Sequence, residues 1–171
     1  MNSEGVSTFI GRVTARQKIR NMLQVLHRRQ AEHRKDHTTP VYGDVTPFPI
    51  GRVEKRMRKF AQENDIELAT SSLYLSEERL LHSIREPKQK FGKVVSVNDI
   101  IDFPANRYKM NLYYDTHAKN FIYQQGTNKF VVEPSREVKL PNGKVRKVMI
   151  VTIDKMKGTS HFNESKYIKI K

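Results

Sequence analysis

The sequence predicts an α+β fold in which N-terminal helices are followed by a four-stranded antiparallel meander sheet. Two observations predict it. Up to about residue 104, apolar residues recur at helical spacing behind capping residues, and prolines break the runs. From Asn111 onward the pattern changes to short strands separated by turn residues. With 171 residues and 37% hydrophobic side chains, the chain suits one modest core.

The first eight residues are largely polar and expected to be loose. Thr14-Ala15-Arg16-Gln17 matches a capping box, in which a threonine oxygen and a glutamine side chain each satisfy an orphan amide. Ile19, Met22, Leu23 and Leu26 follow at helical spacing, whereas His27 to His37 is almost wholly polar and has little to bury. Thr38 to Pro49 holds three prolines and Gly43, which makes it a linker. Residues 1–49 are therefore expected to be a basic helical extension with a Pro-rich linker, and residues 50–171 a separate domain. A second helix is expected from Gly51 to Asn64, with Val53, Met57 and Phe60 on one face. Ile66 to Thr70 alternates like a short strand, and Tyr74-Leu75 is a further extended piece. Ser76 caps a third helix, Glu77 to Arg85, with acids in its first turn and Leu80, Leu81 and Ile84 as its apolar side. After the basic loop from Lys88 to Lys93, Ser96 caps a short helix expected to stop before Pro104. The extended segments, which together make a meander of about four strands, are Leu112–Asp115, Phe121–Gln124, Lys129–Val132, Glu137–Leu140 beyond an edge or bulge at Pro134, and Lys147–Ile153. Asn142-Gly143 is the strongest turn signal in the chain.

Charge narrows the function. Lys and Arg number 32 against 18 Asp and Glu, a formal net charge of +14. The excess is not a tail: residues 1–65 carry 13 basic and 7 acidic side chains, residues 66–171 carry 19 and 11. Such a surface fits a polyanion, nucleic acid first and an anionic membrane surface second. Cysteine is absent, which excludes disulfides, thiolate zinc sites and a cysteine nucleophile. No run of 18 apolar residues is present to span a membrane, and Met1 to Gly5 lacks the features of a secretory signal. There is no P-loop, G-x-S-x-G, H-E-x-x-H or EF-hand run, and the scattered carboxylates argue against a two-metal nuclease. No cofactor is expected.

Three groups of residues can carry chemistry. His33 and His37 have i, i+4 spacing, but their neighbours are cationic and no third ligand is near, so no metal site is expected; His117 falls in a hairpin loop. His82 lies on the predicted third helix, with Arg85 three residues on. Phosphodiester cleavage needs that pairing, an acid/base group beside fixed positive charge, although a half-buried structural histidine satisfies the same spacing. The exit from the last strand, Asp154 to His161, supplies Lys155, Lys157, Thr159 and Ser160, any of which could complete such a site. Lys88, Lys90, Lys93 and Lys129 are candidates to hold nucleic-acid phosphates, with Lys155 beside them. Tyr108, Tyr113, Tyr114, Tyr123 and Phe130 are aromatic rings among basic residues, and about half of them should be core.

The run from Ile66 to Ser76, the following Leu81 to Arg85, the Asp99 to Pro104 stretch and the terminal hairpins resemble the phage-borne nuclease domains of the barnase/EndoU/colicin/RelE-like (BECR) group, many of which are polymorphic-toxin modules. The resemblance covers roughly Ile50 to Ser160. It implies a helix-then-sheet fold that cleaves RNA without metal and leaves a 2′,3′-cyclic phosphate. His82 and Arg85 match the helix histidine and arginine of the pattern. It also implies RNA as partner, transfer RNA among the candidates, an acidic immunity protein or antitoxin, and action in the cytoplasm of a producing or target bacterial cell or in association with a virion. The competing expectation is a non-catalytic nucleic-acid-binding accessory protein of a phage or mobile element.

Overall fold

The computed structural model describes residues 3–38, 47–76, 79–80, 95–140 and 142–171, with side chains from residue 15 onward. In chain order the elements are α1 (Ser3–Lys35), β1 (Phe48–Arg52), α2 (Lys55–Glu63), β2 (Ser72–Leu75), α3 (Val97–Asn106), β3 (Asn111–Asp115), β4 (Asn120–Gln125), β5 (Asn128–Lys139), β6 (Val145–Lys155) and β7 (Tyr167–Ile170). Short 3-10 turns follow α3 (Arg107–Lys109) and β6 (Ser160–Asn163). The strands form one sheet in the order β1-β2-β6-β5-β4-β3-β7, antiparallel throughout except where β2 lies parallel to β6.

Local chemistry sets the turns. Asp115 Oδ1 accepts hydrogen bonds from the amides of His117 and Ala118, which closes the β3–β4 hairpin. Gly143, at φ 83, turns β5 into β6 in a conformation that side chains rarely adopt. Ser96 Oγ accepts from the Asp99 amide and starts α3, as the sequence predicts.

Alternation along the strands gives the sheet two faces. Phe121 and Tyr123 of β4, Phe130 and Val132 of β5, and Val151 and Ile153 of β6 share one face by register, and the helices pack there. Phe60 of α2 meets Tyr114 and Phe121, with centroids 5.4 and 6.1 Å away. Phe103 of α3 stacks on Phe130 at 4.2 Å and stands edge-on to Tyr123 at 5.5 Å. Aromatic pairs of this kind contribute about 0.5–1.5 kcal/mol each beyond the area they bury. α1 adds Ala15, Ile19, Leu23 and Leu26 to the same core, and Arg16 reaches Asp102 of α3 at 3.0 Å. The expected boundary at residue 49 thus falls inside β1, and the basic extension packs into the core shared with the sheet.

The sheet is curled. Four strands separate β1 from β3, yet Gly51 of β1 lies against Arg107, just before β3. A Cβ at position 51 would sit 2.8 Å from Arg107 Nη2, so any larger residue would have to push the buried guanidinium aside. Arg56 closes the same gap by donating to the carbonyls of Arg107 and Met110 at 3.1 and 2.9 Å.

The fold class stands as α+β, but the sheet has seven strands, not four. β1 sits in the stretch read as linker and helix start. Pro49 is tolerated because β1 is an edge strand, and α2 accordingly begins at Lys55 rather than Gly51. Ile66–Thr70 is a loop, not a strand. Its apparent alternation arises because Ile66 and Leu68 rest half-buried on the core. Lys129–Val132 and Glu137–Leu140 are one strand, with a register shift between Glu133 and Arg136 around Pro134. β7, unforeseen, pairs with β3. α1 begins at Ser3, so Thr14 lies inside it and Gln17 hydrogen-bonds Asn21 instead of capping. α3 runs through Pro104 because Ile100, Ile101 and Phe103 on it are buried, and that packing outweighs one lost amide donor.

Candidate functional site

His82, Arg85, Lys88, Lys90 and Lys93 lie outside the described residues. Ahead of them Ser76, Arg79 and Leu80 are described, and they are anchored three ways. Ser76 Oγ accepts from the Arg79 amide at 3.2 Å, and the Ser76 carbonyl accepts from the Leu80 amide at 3.0 Å, the cap the sequence predicts. Leu80 is fully buried. Arg79 Nη2 lies 3.7 Å from Glu133 Oε2, and both side chains are mostly buried. Glu133 stands opposite Ile150 in the β5–β6 ladder. Alternation therefore puts it on the face away from α2 and α3, the face that also carries Ile122 and Tyr113.

The exit from β6 comes back onto that same face. Phe162, in the 3-10 turn, stacks on Tyr113 at 4.4 Å with the rings nearly parallel, and meets Tyr167 of β7 at 5.0 Å. His161 is half-buried against Phe162 at 4.2 Å and Tyr167 at 5.7 Å. The Lys166 ammonium stands 5.0 Å above the Tyr167 ring, and its pKa is raised above the ordinary lysine value, chiefly by Tyr167. Lys157, Thr159 and Ser160 are exposed, and their side chains have no protein partner among the described residues. Lys129 projects from this face opposite Asp154. Lys155 alternates to the other face, opposite Asn128, whose amide donates to Asp99 at the start of α3. Lys129 therefore lies on the same face as the turn carrying Thr159 and Ser160, and Lys155 lies on the opposite one.

Tyr123 requires a correction. It is fully buried, and its hydroxyl donates to Glu54 Oε1 at 2.8 Å, so no base stacks on it. Glu54 also accepts from Arg56 Nε at 2.7 Å. Burial pushes the Tyr123 phenol well above its usual range, with the Glu54 carboxylate adding to the shift. Its register with Leu112 and Phe130, both inward-facing, is the signal that marks it as core. Phe130 is likewise buried and Tyr114 half-buried, which leaves Tyr108 and Tyr113 as the rings outside the core.

Among the described residues, no three His, Asp or Glu side chains are gathered as they would be to hold a metal ion. The His33 and His37 rings contact each other edge to face at 5.2 Å. Among the described residues, no helix is long and apolar enough to cross a membrane. Sequence reasoning missed Arg79, the Tyr113–Phe162–Tyr167 stack and β7. The alternation in Tyr167-Ile168-Lys169-Ile170 was the signal for the last of these. Comparison of the chain with protein-family models, with curated proteins and with solved structures found no match.

Proposed function

We propose that the chain is a ribonuclease that cuts RNA without a metal ion on the face of its sheet away from α2 and α3, leaving a 2′,3′-cyclic phosphate. The observation that supports this most is that two anchoring contacts fall on one face of the sheet. Arg79, just before His82 and Arg85, pairs with Glu133, the turn carrying Thr159 and Ser160 is stacked on Tyr113, and Glu133 and Tyr113 project from the same face. In this reading His82 takes the proton of the 2′-hydroxyl, and the 2′-oxygen attacks phosphorus. The P–O5′ bond breaks, and the 5′-oxygen leaves with a proton from solvent or from the β6 exit. Arg85 and Lys157 offset the charge that collects on the non-bridging oxygens, and Thr159 or Ser160 donates a hydrogen bond to one of them. A net charge of +14 suits RNA as substrate and an acidic protein as inhibitor.

The test is incubation with RNA in EDTA. Wild-type protein is expected to release fragments ending in a cyclic phosphate. His82→Ala should cut about 100-fold more slowly or worse, with unchanged salt-dependent binding. Protein that binds RNA but cuts it in no buffer would sink the nuclease reading and leave a nucleic-acid-binding protein.

A further inference from the structure

A second cationic surface lies on the helix side of the molecule, where β1 passes into α2. There a cleft of about 680 Å³ is lined by Arg52, Lys55, Arg58, Lys59, Tyr108 and Lys171, with Glu54 and Arg56 also at its wall. The one side-chain carboxylate among its lining residues, Glu54, is already engaged by Arg56 and Tyr123. Arg52, Lys55, Arg58, Lys59 and Lys171 are exposed and have no carboxylate partner among the described residues.

Tyr108 gives the cleft an aromatic element. It is 40% exposed, and the Arg107 guanidinium backs it, 4.5 Å from the ring centroid, with Nη2 donating to its hydroxyl at 2.7 Å. Arg107 itself is 2% exposed, and its Nη1 has no hydrogen-bond partner. A buried guanidinium without a carboxylate partner among the described residues keeps positive charge behind the ring.

We infer that this cleft binds a single-stranded nucleic acid, its phosphates on the basic side chains and one base stacked on Tyr108. An acidic protein would satisfy the charges but would not use an exposed, arginine-backed ring, so the ring favours nucleic acid. The inference does not depend on cleavage: a strand gripped here is held on the opposite side of the sheet from the Arg79 and Phe162 turns.

Binding of a fluorescently labelled oligouridine is measured by anisotropy in the His82→Ala background, so that the oligonucleotide stays intact. Arg58→Gln with Lys59→Gln is expected to weaken binding about tenfold at moderate salt and to flatten the log K against log salt slope by about one unit or somewhat more. Tyr108→Ala is expected to weaken it about fivefold to tenfold with the slope unchanged. All three side chains are exposed, and unchanged thermal melts confirm that the variants fold. RNA affinity equal to the parent in these variants overturns the inference, as does poly-glutamate bound as tightly as RNA.

Discussion

The interior beneath the helices and the opposite surface of the sheet use polar groups in different ways. Between the sheet and its helices the buried ionised side chains serve the protein: Glu54 accepts from Arg56 and Tyr123, and Arg56 spans to the carbonyls of Arg107 and Met110. On the other face Lys157, Thr159 and Ser160 have no protein partner among the described residues, and a single short turn is pinned by ring stacking. Polar groups satisfied internally hold a fold together, and groups left unsatisfied at a surface are the ones a ligand can use. The difference separates residues whose loss should lower stability from residues whose loss should lower activity.

The sharpest way to break that comparison is a pair of aromatic truncations. Phe103→Ala removes the ring stacked on Phe130 in the deepest part of the core and is expected to cost about 3–5 kcal/mol in urea unfolding. Phe162→Ala, at the rim of the opposite face, should cost about half as much or less, because the site can collapse into solvent, yet it should reduce RNA cleavage by freeing the β6 exit. Equal stability losses would erase the distinction between the faces.

Tyr123→Phe comes next. It leaves a buried Glu54 oxygen one donor short and is expected to cost about 1–3 kcal/mol. It also has a pH signature. The Tyr123 pKa is higher in the folded chain than in the unfolded one, so the folded state holds this proton more tightly. Its contribution is complete below the ordinary tyrosine pKa of about 10 and is lost as pH rises beyond it. Alkaline unfolding curves of Tyr123→Phe should therefore be flatter above that pH than those of wild type. Gly51→Ala, which drives a Cβ against Arg107, should cost about 1–3 kcal/mol by the same assay. The smallest stability effect belongs to Arg79→Ala, whose partly exposed pair with Glu133 is worth about 1 kcal/mol or less. Its cleavage rate should fall by far more than that stability loss implies.

Much of this arrangement was legible in residue patterns, and the gaps have physical causes. Ser76 and Ser96 announced their helix starts because a serine before acidic residues and an apolar stripe has few other uses. Asn142-Gly143 announced its hairpin. Pro49 concealed β1, because proline reads as a breaker unless an edge position is known, and edge positions follow from tertiary order. Pro104 concealed the last turn of α3, because burial of Phe103 overrode local preference. Tyr123 was read as accessible from its cationic neighbours, although its register with Phe130 already pointed it inward. Arg79 could not be singled out at all: its partner Glu133 lies on β5, far along the chain, and only the fold brings the two together.

The central claim is that the segment carrying His82 meets the β6 exit on the face of the sheet away from α2 and α3. The chain contains no cysteine, so introduced thiols report without background. The decisive measurement is intramolecular cross-linking of His82→Cys with Ser160→Cys by a short bifunctional maleimide, beside Arg79→Cys with Glu133→Cys as the reference pair. The account predicts that both pairs cross-link within one chain. Efficient linkage of the reference pair with none between positions 82 and 160 would contradict it.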